Sequence, residues 1–245
     1  MVLSQREFQA RKDRILAIAI EEYVKTITPI SSSYIAKMYP VDLSPATIRN
    51  ILAELEEQEL LTHPHTSAGR IPTQKGYRYY VDHLMNEIQL LEEEKQKIKS
   101  EYEKESKELE SLLETTSKAV SEATHYTSIV SVDGWGNKIF CHGTSFVVGY
   151  PEIQDVAKIG NILMALEEKE GLLRIINRDL REKVNILIGH EITNAHINSC
   201  SLVISKYASP HGPSGRIAVL GPTRMNYERV VSTIEYVSQL MEEIL

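Results

Sequence analysis

The segment that most narrows what this chain can become is Ser44-Pro45-Ala46-Thr47-Ile48-Arg49-Asn50. Serine is a favoured helix N-cap, and proline suits the first helical position because its missing N–H would find no intrahelical acceptor there. Ile48, Leu52 and Leu55 recur at helical spacing and mark a face to be buried. Thr47, Arg49 and Asn50 then fall on the other side of the first turns. A helix is expected from Ser44 to about Gln58, with its polar start left uncovered.

The flanking sequence builds a small domain around it. Phe8, Ile15, Leu16, Ala19, Ile20, Tyr23 and Val24 recur at threes and fours, so residues 5–28 read as a helix stopped by Thr28-Pro29. Ser31 to Ser33 supply caps for a short helix ending near Tyr39-Pro40. Leu60 to Pro64 and Arg70 to Thr73 fit two short strands, with Thr66-Ser67-Ala68-Gly69 turning between them. Three helices followed by such a ribbon predict a winged helix-turn-helix within residues 1–82. A helix that buries one face and offers Thr, Arg and Asn from its first turns can seat them in the major groove of double-stranded DNA. Arginine pairs with guanine O6 and N7 and asparagine with adenine N6 and N7, each good pair giving about 1–3 kcal/mol of discrimination. The candidate contacts are Ser44, Thr47, Arg49 and Asn50 on the helix. Arg70, placed by this reading at the hairpin tip, would reach a minor groove or phosphate, and His63, His65, Lys75 and Arg78 would hold the backbone. The competing reading of Arg49 is a surface ion pair with Glu54 or Asp42. For Lys75 and Arg78 plain solvated charge competes on nearly even terms.

The net charge of −7 excludes a general electrostatic sponge for nucleic acid, but the charge is unevenly spread. Residues 1–82 balance ten Lys/Arg against ten Asp/Glu, residues 83–125 hold six against eleven, and residues 126–245 hold eleven against thirteen. Residues 60–81 contain no acid, whereas Arg70, Lys75 and Arg78 lie within them. DNA responds to the field within about 8–10 Å at cellular salt, so a locally basic ribbon matters more than the total.

From Leu84 the pattern changes. Leu84, Ile88, Leu91, Lys95, Ile98, Tyr102, Glu105, Leu109, Leu112, Thr116, Ala119 and Ala123 alternate by fours and threes, with no Gly or Pro between 84 and 125. This predicts one long heptad helix over 83–125, with Leu84, Ile88, Leu91, Ile98, Tyr102, Leu109 and Leu112 as a dimerisation seam. A long helix folded against its own domain is the competing arrangement. Residues 126–245 mix strand runs (Thr127 to Val132, Lys138 to Val148, Val184 to Ile188, Ser201 to Tyr207, Arg216 to Leu220) with helical stretches at Glu152 to about Asn177, whole or broken at Gly171, and from Thr223 or Asn226 to Leu245. An α+β domain is expected there.

Catalytic and metal chemistry find little support. Gly212-Pro213-Ser214-Gly215 lacks the strand–turn–helix setting of a nucleophile elbow, and His190-Glu191 lacks the second histidine of a zinc-protease helix. His63 and His65 flank a proline without neighbouring cysteines, as ribbon residues would. Cys141 and Cys200 are too few and too far apart for a disulfide framework. Neither an enzyme nor a cofactor is expected, and without a signal peptide or an apolar run of about 20 residues the expected location is the cytoplasm.

Leu43-Ser44-Pro45-Ala46-Thr47-Ile48-Arg49-Asn50 with Leu52, Glu54 and Leu55 resembles the amino-terminal domain of the HrcA-type heat-inducible transcription repressors. So does His63-Pro64-His65-Thr66-Ser67-Ala68-Gly69-Arg70-Ile71-Pro72-Thr73 with Gly76-Tyr77-Arg78-Tyr79-Tyr80-Val81-Asp82. Ile186 to Glu191 and Gly221-Pro222-Thr223-Arg224-Met225-Asn226-Tyr227 are similar to that family's GAF-like domain. The resemblance implies a dimeric repressor on an inverted-repeat operator ahead of chaperone genes, reaching its active form with help from the GroEL chaperonin. The chain departs from the family by about a hundred missing residues between Val132 and Gly143, where members carry an inserted dimerisation domain; the heptad segment would substitute for it. Two alternatives are a winged-helix regulator whose carboxy-terminal domain binds a small molecule, and a coiled-coil protein whose winged helix contacts protein.

Overall fold

The computed structural model describes residues 5–64, 69–86, 88–103, 109–136, 138–150, 155–178, 182–209 and 212–245. The chain divides into two compact units, Met1–Asn86 and Glu87–Leu245, and mixes helix with antiparallel sheet as an α+β protein.

The amino-terminal unit is built on α1 (Gln5–Thr26), α2 (Ser32–Met38) and α3 (Pro45–Glu57). Each short helix has the cap its sequence foretold. Ser31 Oγ accepts from Tyr34 N at 3.2 Å, and Ser44 Oγ accepts from Thr47 N at 3.1 Å with Pro45 at the first position. α1 stops two residues earlier than the Thr28-Pro29 boundary suggested, because Ile27 turns into the left-handed region at φ 56°. Ile15, Leu16 and Ile20 of α1 are fully buried, as are Ile35, Ile48, Leu55 and Leu61. Arg14 Nη2 donates to the Pro40 carbonyl at 3.0 Å and ties α1 to the loop before α3. The ribbon follows: β1 (Leu61–Thr62) pairs antiparallel with β2 (Ile71–Pro72), Leu61 opposite Pro72 and Thr62 opposite Ile71. α4 (Gln74–His83) returns to α1, where Tyr79 Oη donates to Asp13 Oδ1 at 3.0 Å. Gly76 is required at the start of α4, since a Cβ there would lie 2.1 Å from the Leu60 carbonyl oxygen.

The carboxy-terminal unit centres on a five-stranded antiparallel sheet in the order β4-β3-β7-β6-β5. The strands are β3 (Thr127–Val132), β4 (Ile139–His142), β5 (Val184–Ile188), β6 (Cys200–Ala208) and β7 (Ser214–Pro222). One sheet face, with Ile129, Leu202, Ile204, Ala218 and Leu220, packs on α7 (Val156–Glu167), α8 (Lys169–Ile176) and a 3₁₀ turn at Thr144–Gly149. The opposite face meets α6 (Leu109–Thr124) and α9 (Tyr227–Ile244). Small hydroxyls join these layers: Ser205 with Ser238 at 2.9 Å and Ser201 with Tyr227 at 2.7 Å. Asn226 caps α9 by accepting from Arg229 N, and Cys200 is a buried core residue whose thiol burial pushes up to about 12. Two boundaries differ from expectation. The strand expected over 138–148 ends at His142, where Gly143 turns at φ 77°, and α7 gives way to α8 at Glu168, ahead of Gly171.

The long heptad helix is not formed. The segment is broken after α4 and resumes as α5 (Glu92–Glu103), followed by α6. Tyr102 Oη donates to Thr116 Oγ1 at 2.9 Å. Fourteen residues along one straight helix would separate these groups by about 21 Å, so the chain reverses between them. The predicted seam is divided accordingly. Ile98, Tyr102 and Leu112 are buried inside this unit, Leu109 is half-buried there, and Ile88 and Leu91 are exposed. Leu84 is the cap residue that ends α4 in the other unit. The central apolar positions of the expected seam, Ile98, Tyr102 and Leu112, are thus occupied by intramolecular packing. The four-three spacing is real, but it serves two helices packing on each other and on the sheet.

Candidate nucleic-acid interface

The first turns of α3 carry the side chains singled out from sequence. Ile48, Ile51, Leu52 and Leu55 form its buried stripe, while Thr47, Arg49 and Asn50 are exposed. Ser44 is occupied with capping, since its Oγ accepts from Thr47 N and lies 2.9 Å from Thr47 Oγ1. Arg49 and Asn50 make no side-chain hydrogen bond or ion pair among the described residues. The competing pair for Arg49 does not form: Glu54 is taken by Lys12, at 3.4 Å. A cation and an amide held side by side on a capped, well-packed helix end can donate to base edges without first breaking an internal contact.

The ribbon differs more from expectation. Arg70 does not sit at the hairpin tip. It forms an antiparallel bridge with Ile30, each N–H donating to the other's carbonyl at 2.8 Å, which places it at the stem beside β2. Its guanidinium Nε lies 2.8 Å from Glu56 Oε2 on α3. His63, just past β1, takes the other oxygen of the same carboxylate through Nδ1. Lys75 pairs with Glu59 at 3.1 Å, both well exposed, and Arg78 pairs with Asp82 at 3.4 Å along α4. His65 lies outside the described residues.

The acids that pair with Arg70 and His63 of the ribbon and with Lys75 and Arg78 of α4 flank the acid-free window 60–81 in sequence and close on it in space. Glu56, Glu59 and Asp82 were therefore missed, and the ribbon is less positive than its composition suggested. The stem is also braced by Thr73, whose Oγ1 donates to the Glu59 carbonyl at 2.6 Å, accepts from Gly76 N at 3.0 Å and so caps α4. Thr73 falls three residues before Gly76 at the opening of an aromatic helix, a capping signal the sequence did carry.

Comparison with known proteins places the chain. The family model described as the HrcA protein C terminal domain matches residues 78–231, more than half of the chain. Two similar relatives both bear the name heat-inducible transcription repressor HrcA. The one from Carboxydothermus hydrogenoformans is 29% identical across 96% of this chain and 97% of its own. That from Geobacter sulfurreducens is 25% identical across 98% of each. The first alignment runs over 333 residues against a chain of 245, so at least 88 positions of the relative have no counterpart here. A crystal structure of a hypothetical protein at 2.2 Å resolution shares the fold, with a TM-score of 0.74 over 99% of this chain and 98% of that one, at 18% identity. On the match that spans most of its length, this chain belongs to the HrcA family, whose relatives named here are heat-inducible transcription repressors.

Proposed function

We propose that this protein represses transcription of heat-shock chaperone genes, with residues 1–82 acting as a winged helix-turn-helix on double-stranded DNA. The observation that carries the reading is the exposed pair Arg49 and Asn50 on the capped start of α3, with no partner among the described residues. α3 enters the major groove, Thr47, Arg49 and Asn50 meet base edges, and the ribbon with Lys75 and Arg78 follows the adjoining backbone. Family membership further supports an inverted-repeat operator, a homodimer and assistance from the GroEL chaperonin. The carboxy-terminal unit, an antiparallel sheet covered by helices on both faces, serves as the GAF-like regulatory domain.

Arg49→Ala tests the reading directly. Losing one bidentate pair should cost about 1–3 kcal/mol on the preferred duplex and much less on unrelated sequence, so the two affinities converge. Equal affinity of variant and wild type for the preferred duplex in a gel-shift titration at fixed salt would remove Arg49 from the interface. A ligand-responsive regulator is the secondary reading. An open cavity of about 370 Å³, lined in part by Lys183, Asn185, Lys206, Arg216 and Glu242, is where it would seat a small polar molecule.

A further inference from the structure

Both stems of the ribbon converge on one carboxylate. Glu56 sits on the last full turn of α3, and each of its oxygens takes a different stem: Oε2 meets Arg70 Nε at 2.8 Å before β2, and Oε1 meets His63 Nδ1 after β1. The carboxylate and the guanidinium are each only 25% exposed, so solvent screens the pair less than it does Lys75–Glu59. β1 and β2 have two residues each, and a ribbon that short does not hold its own direction in water. Strand pairing is thus supplemented by the Ile30–Arg70 bridge and by this acid.

We infer that Glu56 is a positioning residue that clamps the two ribbon stems to α3 and thereby sets where the ribbon meets the DNA backbone. The inference rests on the DNA-binding reading and adds to it a counter-intuitive sign. An acid close to a polyanion ordinarily weakens binding, so removing one should tighten it. Glu56 works the other way, because without it Arg70 and His63 lose the carboxylate they share and the ribbon loses its fixed angle to α3. Glu57, the exposed next residue, has no partner among the described residues and supplies the matched control for charge alone.

Glu56→Gln and Glu57→Gln remove the same charge one residue apart. The full-length protein and both variants would be titrated by fluorescence anisotropy against one selected duplex over a range of salt, with hydroxyl-radical footprints. Glu57→Gln should bind as tightly as wild type or more tightly. Glu56→Gln should lose about tenfold in affinity, show a salt slope shallower by about one phosphate, and drop flank protection while keeping the cuts shielded by α3. In the free protein, amide exchange at Leu61, Thr62 and Ile71 should quicken in Glu56→Gln alone. Equal affinities and footprints for the two variants, or unchanged ribbon exchange in Glu56→Gln, would overturn the clamp. Failure of the wild type to bind any duplex would instead bring down the DNA-binding reading, whatever the exchange rates showed.

Discussion

Glu22 illustrates what a single residue contributes to the amino-terminal unit. It is 8% exposed on α1, and Tyr34 Oη of α2 donates to its Oε2 at 2.7 Å. Hydrogen bonds from Tyr39 and Tyr34, with Lys25 adding to them, hold its carboxyl below the usual range even though burial pushes the other way. A carboxyl that is more acidic folded than unfolded favours the native state above its unfolded pKa, near 4.5 here, and that contribution disappears as pH drops through the lower folded value. Urea midpoints followed by far-ultraviolet circular dichroism should therefore decline as pH is lowered from about 6 to 3, and Glu22→Gln should start lower at neutral pH with a flatter acid limb. Trp135, the chain's single tryptophan, reports the other unit by fluorescence and should be indifferent to the substitution. A parallel acid limb in the variant would assign the pH dependence elsewhere. Sequence reading at this scale succeeded where one residue determines its own role, as with the caps Ser31, Ser44 and Asn226. It failed for Glu22 and Glu56, whose roles depend on partners brought in from other elements; nothing in the local pattern distinguishes them from solvated acids.

At the scale of elements, helix and strand runs were readable wherever periodicity was interrupted by a cap or a glycine. α1 to α3, both ribbon strands and β5 to β7 fall within a few residues of their expected positions. The heptad segment failed for a physical reason. Four-three spacing states that one helical face is covered; it does not state by what, and an intramolecular hairpin satisfies it as fully as a second chain. A stop signal was present in Glu92-Glu93-Glu94, three acids in a row where a helix N-terminus favours negative charge. Glu94 acts on it by accepting from Leu91 N at 3.1 Å and by pairing with Arg229 of α9 at 2.7 Å. Two substitutions that an intermolecular seam would treat alike should now separate. Ile98→Asp puts a charge into a site only 4% exposed and should destabilise the carboxy-terminal unit by about 3 kcal/mol or more, whereas Leu91→Asp, at a residue 68% exposed, should stay within about 0.5 kcal/mol of wild type. Thermal unfolding monitored at Trp135 decides the matter. Unchanged melting in Ile98→Asp, accompanied by dissociation of an assembled form, would restore the coiled coil.

For the whole molecule, the consequential number is the 88 or more positions of the Carboxydothermus relative that this chain does without. β3 pairs with β4 in simple antiparallel register from Ser131–Ile139 to Ser128–His142. β3 and β4 are therefore direct neighbours in the sheet order β4-β3-β7-β6-β5. The proposed homodimer has to draw on surfaces other than the buried heptad positions, and the symmetry of the DNA it selects reports the assembly whichever surfaces those are. A twofold assembly reads an inverted repeat, because each half-site must face its winged helix in the same way. Duplexes selected from a random pool should carry two mirrored half-sites whose centres are one helical turn apart or a multiple of it, about 10–10.5 base pairs per turn. Sedimentation of the complex should give two chains per duplex, and a half-site duplex should bind far more weakly at the same salt. Insertion of five base pairs between half-sites rotates one by about half a turn and should abolish the gain from the second. A single unrepeated site bound at one chain per duplex would leave the DNA-binding unit in place and eliminate the dimer.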